Sequence, residues 1–133
     1  MINLVREIGN QEEYETIHNQ IFSENKTHIP AIYYKVYENG EYKGFVSGYL
    51  HDLITFYIQR IGIVDLFKGK KQSEGLANAI WEHLKKEGFK FLMGTVETNN
   101  IPTIIVALKT GFIINGFRVD TGGKQYVEII KEL

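Results

Sequence analysis

A chain of 133 residues can bury a core of its own, and it is expected to fold as one domain, residues 1–133. Hydrophobic residues make up 44% and charged residues 23%, an ordinary globular composition, and the net charge of −1 argues against a general nucleic-acid binder. The absence of cysteine excludes disulfides, thiolate metal sites and a cysteine nucleophile. The start, Met1 to Tyr14, has no basic segment leading into an apolar run. No stretch approaches the roughly 18 apolar residues needed to span a bilayer. The expectation is a cytoplasmic protein with no membrane or nucleic-acid partner.

In chain order, Ile2 to Ile8 reads as a short strand. Glu12 to Ser23 places Tyr14, Ile17, Ile21 and Phe22 at helical spacing, with Asn10 a candidate N-cap. Residues 24–30 fit either a loop or a helical turn. Ala31 to Tyr37 is rich in tyrosine and β-branched residues, and Asn39-Gly40 is a hairpin signal leading into a partner strand, Glu41 to Leu50. A third strand follows from Leu53 to Val64, making an antiparallel meander.

The period then changes. Ser73 to Glu87 puts Leu76, Ala79, Ile80 and Leu84 on one helical stripe, and Gly88 stops the helix. Phe89 to Val96 is a strand, and Thr98-Asn99-Asn100 offers capping side chains to a helix that ends at Gly111, with Ile104, Ile105 and Leu108 facing inward. Two last strands, Phe112 to Val119 and Gln125 to Ile130, flank the turn Thr121-Gly122-Gly123. The order is β-α-β-β-β-α-β-α-β-β, an α/β (mixed α+β) fold whose sheet is covered by helices. The unit from about residue 53 to 96 makes part of that sheet parallel, with a right-handed crossover.

The turn from Asp65 to Ser73 carries the first chemical signal. Lys68, Lys70 and Lys71 crowd around Gly69 just where a helix begins. Unpaired N–H groups and the positive end of the helix dipole make such a place an anion site. A solvated loop with an ordinary N-cap explains the same residues.

Two stretches resemble the GNAT acetyltransferases. Ile61-Gly62-Ile63-Val64-Asp65-Leu66-Phe67-Lys68-Gly69-Lys70-Lys71-Gln72-Ser73 is similar to that family's acetyl-CoA signature, a strand running into an Arg/Gln-x-x-Gly-x-Gly/Ala turn and then a helix. Lys68 takes the Arg/Gln place, Lys71 the first glycine, Ser73 the second glycine or alanine, and Leu76 the leucine beyond. Asn100, followed eleven residues later by Gly111-Phe112, resembles the later motif, in which the asparagine amide holds the pantetheine arm. The resemblance covers essentially the whole chain. It implies a GNAT-like N-acyltransferase fold, acetyl-CoA as cosubstrate, an amine acceptor and, as is common among similar proteins, a homodimer. It implies cosubstrate contacts from Ile61, Ile63, Lys68, Gly69, Lys70, Lys71, Gln72, Ser73 and Asn100, with backbone N–H near Ile63 as the oxyanion contact.

The catalytic side chains depart from the family pattern. A tyrosine usual four residues before Gly-Phe is here Ala107, and a glutamate usual on the strand before the turn is here Tyr57 or Gln59. Phenols and amides are poor bases at neutral pH, so the resemblance assigns Tyr57 and Gln59 hydrogen bonding or the positioning of a water. A face of ordinary strand packing is the competing account of both. His51 lies between strands near the implied acceptor side, but no histidine has a partner at the spacing of a metal site or triad. These departures leave a second reading, a GNAT-fold module that binds coenzyme A or a protein partner without turnover.

Overall fold

The computed structural model describes residues 2–7, 13, 16–17, 32–63 and 71–133, with side chains in the last group from residue 74. Among the described residues, seven strands and two helices can be bounded: β1 Ile2–Glu7, β2 Ile32–Glu38, β3 Glu41–Asp52, β4 Thr55–Ile63, α1 Lys71–Lys86, β5 Phe91–Glu97, α2 Ile101–Lys109, β6 Ile113–Val119 and β7 Gln125–Glu132. They build one sheet in the order β1-β2-β3-β4-β5-β7-β6, antiparallel throughout except for the β4–β5 pair. The expected helix over Glu12–Ser23 and the loop or turn at 24–30 lie largely outside the described residues; Glu13, Thr16 and Ile17 are helical.

Local chemistry accounts for most of the boundaries. Asn39 and Gly40 both take positive φ, 52° and 82°, the pair a two-residue hairpin turn demands, and β2 and β3 close on either side. Gly88 and Gly111 stop α1 and α2 with φ of 104° and 101°. Pro102 sits in the first turn of α2, where its missing N–H leaves no bond unmade.

Moving from β4 to β5 and from β5 to β6 steps across the sheet in one direction. Crossovers of one hand in the same direction place their helices on the same face of a sheet, and α1 and α2 do pack into one core. That core includes Tyr34, Val36, Val46, Phe56, Leu92, Val96 and Ile129. The opposite face carries Ile17, Tyr33 and Phe45 as a separate buried group. Adjacent Tyr33 and Tyr34 thus serve different cores, as strand alternation requires.

Three details differ from the sequence expectation. On α1 the buried stripe is Ala77, Ile80, Trp81 and Leu84, with Leu76 only partly buried. On α2 the buried residues are Val106 and Ala107, while Ile105 and Leu108 are 45% and 46% exposed. The α2 sequence is apolar nearly all round, so periodicity could not say which stripe meets the sheet; packing against Trp81 and Phe112 selects the small face. Asn100 does occupy the N-cap position, yet its side chain makes no capping bond, and its φ and ψ of −86° and 69° explain why.

Candidate active site

The site begins with a break in the sheet. β4 and β5 pair only from Thr55–Phe91 to Ile58–Gly94. Beyond that point β4 stays bonded to β3 as far as Ile63, and β5 stays bonded to β7 as far as Glu97. Each strand is held by its outer neighbour, so the two separate and leave inward-pointing backbone groups with no strand to pair. A bulge marks the parting. Ser47 faces Arg60 and Gly48 faces Ile58, so Gln59 is the extra residue on β4. Bulges bend and twist a strand away from its ladder, which is the motion the gap needs.

A cleft of about 790 Å³ occupies the gap, within the range of small-molecule sites. Ladder register and alternation divide its lining between the two faces of the sheet. Ile58, Ile61, Trp81, Val96, Asn100, Thr103, Ala107, Phe112 and Ile129 belong to the helix side. Tyr49, Tyr57, Arg60, Thr95, Glu97, Arg118 and Tyr126 belong to the other side. The gap between β4 and β5 connects the two groups beside Gln59.

The helix side is cross-braced by side-chain contacts. Trp81 Nε1–H donates to Thr110 Oγ1 at 3.0 Å, and Thr110 Oγ1–H in turn lies 2.8 Å from the Val106 carbonyl and 3.2 Å from that of Ala107. The Trp81 ring meets Phe112 edge-on at 5.3 Å. These contacts fix the C-terminal turn of α2 against α1 and hold the Ala107 methyl in the cleft wall.

On the other side, Tyr49 and Tyr57 stack across the β3–β4 ladder with centroids 5.0 Å apart and planes 14° from parallel. Burial raises the Tyr49 phenol pKa, the neighbouring Tyr57 adds to this, and the Arg118 charge opposes it. Arg118 lies over the Tyr126 ring, 4.9 Å from its centroid. Tyr126 O–H donates to Asp120 Oδ2 at 3.2 Å, and Asp120 Oδ1 accepts the backbone N–H groups of Gly122 and Lys124, each at 2.9 Å. The backbone N–H of Lys124 is the chief reason the Asp120 carboxyl sits below the usual carboxylate range. Glu97 is engaged by Lys124 Nζ at 3.3 Å.

Of the residues singled out in the sequence, Tyr57, Gln59, Ile61 and Asn100 line this one cleft. Gln59 stands out: its amide oxygen is buried with no hydrogen-bond partner among the described residues. Ile63 is buried in the core at the end of β4 and does not line the cleft with its side chain. Lys71, Gln72 and Ser73 form the first turn of α1, while Lys68, Gly69 and Lys70 lie outside the described residues. His51 is exposed on β3, its ring 6.5 Å from that of Tyr57. Trp81, Arg118 and Tyr126 escaped sequence reasoning. Arg118 and Tyr126 sit on late strands whose cleft-facing side depends on the order β5-β7-β6, and no local signal marks them. Among the described residues no group of His, Asp or Glu is arranged to hold a metal ion, and no helix is long and apolar enough to cross a membrane.

A parallel pair that parts beside a bulge, with both crossover helices on one face, directs comparison with known families. The family model described as the acetyltransferase (GNAT) family matches residues 3–112. The chain belongs to the GNAT acetyltransferase family. Solved GNAT-type structures share its fold at low identity. An N-acetyltransferase from Staphylococcus aureus Mu50 is 16% identical with a TM-score of 0.71, covering 99% of this chain and 97% of its own. A GNAT family acetyltransferase from Elizabethkingia anophelis with acetyl-CoA bound is 15% identical, with a TM-score of 0.66 and coverage of 99% and 98%. A spermidine N-acetyltransferase SpeG chimera from Vibrio cholerae and hSSAT is 13% identical, with a TM-score of 0.69 and coverage of 97% and 95%. No curated protein sequence matches the chain.

Proposed function

We propose that this GNAT protein transfers an acetyl group from acetyl-CoA to a primary amine of a small molecule or peptide, by direct attack in a ternary complex. The observation that carries the reading is the cleft where β4 leaves β5, lined from both sheet faces and walled on one side by α2 and its N-cap residue Asn100. The acetyl-CoA-bound structure of a GNAT relative supports this choice of cosubstrate.

In the proposed arrangement the pantetheine arm enters on the helix side. The Asn100 amide, free of capping duty, bonds to it, and the start of α1 offers unpaired N–H groups to the pyrophosphate. The acceptor enters across Tyr57. Its neutral amine nitrogen attacks the thioester carbonyl carbon, and the new C–N bond pushes the carbonyl electrons onto oxygen. Backbone N–H groups of β4 beyond Ile58, towards Ile63, hold that oxyanion. Collapse re-forms C=O and breaks the C–S bond, and the electron pair leaves on the coenzyme sulfur. The surplus proton on nitrogen passes to water positioned by Gln59 and Tyr57, and solvent protonates the thiolate. With Ala107 in the wall, no described side chain stands in the usual tyrosine place to protonate sulfur. The leaving group departs as the thiolate.

Mixing the purified protein with acetyl-CoA and an amine panel, and following free thiol, tests this. Acetyl transfer to at least one amine is expected, with a rate gain in Ala107→Tyr if sulfur protonation limits turnover. Calorimetric binding of coenzyme A without transfer to any amine would leave a binding module and remove the enzymatic reading.

A further inference from the structure

The acceptor side of the cleft ends in a cation held ready for an anion. Arg118 is exposed on the edge strand β6, yet its head group is not left to wander, because it rests on the Tyr126 ring. Tyr126 is tethered through its hydroxyl to Asp120, and Asp120 is fixed by two backbone N–H groups of the β6–β7 turn. The face of a guanidinium laid on an aromatic ring is used, while its N–H donors at the edge stay available. Besides Asp120 and Lys124, the charges near Arg118 among the described residues include Arg60, Glu97 and Glu128. Glu97 already has Lys124, and the Glu128 carboxylate lies against the Gly116 backbone, with Oε2 2.7 Å from where a Cβ there would sit. Arg118 forms no ion pair among the described residues. Facing it across the cleft are the stacked rings of Tyr49 and Tyr57, a flat wall suited to an apolar or aromatic group.

We propose that the acceptor is an amine that also bears a carboxylate, such as an amino acid or short peptide with an apolar side chain, whose carboxylate pairs with Arg118. This rests on the acetyl-transfer reading for its chemistry, but not for its recognition step. The Arg118 fork takes the carboxylate, the Tyr49–Tyr57 pair takes the apolar group, and the amine is left to face Gln59. Tyr126 and Asp120 are positioning residues for Arg118. A polycation such as spermidine brings no carboxylate and meets an unpaired positive charge.

The test compares L-phenylalanine and alanyl-phenylalanine with their C-terminal amides and with spermidine. Each is assayed for transfer and, separately, for calorimetric binding to the protein saturated with coenzyme A. The free acids are expected to bind and react about 10-fold better than the amides, the scale of one charge-assisted hydrogen-bonded pair. Arg118→Ala is expected to abolish that preference by raising KM for the acids at least to the level of the amides. Arg118→Lys should recover part of the preference, and Tyr126→Leu should weaken it without altering coenzyme A affinity. Amides binding as well as acids, a preference for spermidine, no binding by any of the five compounds, or an acid preference that survives Arg118→Ala would each overturn the proposal. Carboxylate-dependent binding without acetyl transfer would uphold Arg118 as the recognition group and count against the acetyl-transfer reading alone.

Discussion

Gln59 carries a buried amide oxygen that no described residue hydrogen bonds, at the bulge where the cleft opens. A buried acceptor left unpaired costs about 1–3 kcal/mol, and such costs are tolerated where a ligand supplies the missing donor. An amine N–H or an ordered water would do so here. Gln59→Leu is therefore expected to leave stability unchanged or raise it by about 1 kcal/mol, while kcat/KM for acetyl transfer falls roughly 10-fold. Urea denaturation and steady-state kinetics on the same variant check both halves. A loss of stability with unchanged kinetics would make Gln59 an ordinary packing residue. Ala107 teaches the converse lesson. Its identity was plain in the sequence, but the Trp81–Thr110 hydrogen bond that holds its turn in the cleft wall spans 29 residues and has no local signature.

The elements that shape the site are β3, β4 and β6. Gly48 lies opposite Ile58, next to the bulge, and a Cβ there would come within 2.0 Å of the Tyr57 carbonyl oxygen. The obstacle is backbone, which cannot rotate aside, so β3 and β4 would have to separate. Gly48→Ala is expected to cost roughly 1–3 kcal/mol and to weaken coenzyme A binding as well, measurable by thermal melts with and without coenzyme A. Strand β6 is the sheet edge on that side, and Ile113, Ile114, Phe117 and Val119 are all about half exposed or more. An apolar edge whose outer backbone groups pair with no strand among the described residues invites pairing with another copy. Phe117→Lys is expected to lower concentration-dependent self-association in light scattering, with coenzyme A binding retained. The strand itself was legible as a run of β-prone residues. Its position at the edge was not, because β7 inserts between it and β5.

For the molecule as a whole, the larger core sets how stability responds to alkaline pH. Tyr34, fully buried in the larger core, has its phenol pKa pushed up to about 12, first by burial and then by the Glu87 carboxylate. An unfolded tyrosine titrates near ~10. Between those two values the unfolded chain releases a proton that the folded chain keeps. The stabilising contribution is complete below pH ~10 and is lost as pH rises through the folded value. The expected loss is on the order of 2–3 kcal/mol, and urea unfolding at several alkaline pH values should show it. Tyr34→Phe should flatten the dependence; an equally steep fall in that variant would assign it to other groups.

Periodicity, turn dipeptides and helix stops were enough to set out the described strands and helices, since each depends on neighbours a few residues apart. Asn39-Gly40 and Gly111 illustrate this: the backbone conformation each permits is a property of the residue itself. The spacing of Asn100 from Gly111-Phe112 likewise pointed to the family from sequence alone. Tertiary structure decided which face each element turns inward, as with Ile105 and Leu108, because α2 is apolar nearly all round and only its neighbours choose a side. It also decided the site. A gap between two parallel strands, a bulge that strands one glutamine, and an arginine brought to the rim from the far edge arise from pairings between distant segments, and no local pattern encodes a pairing that fails to form.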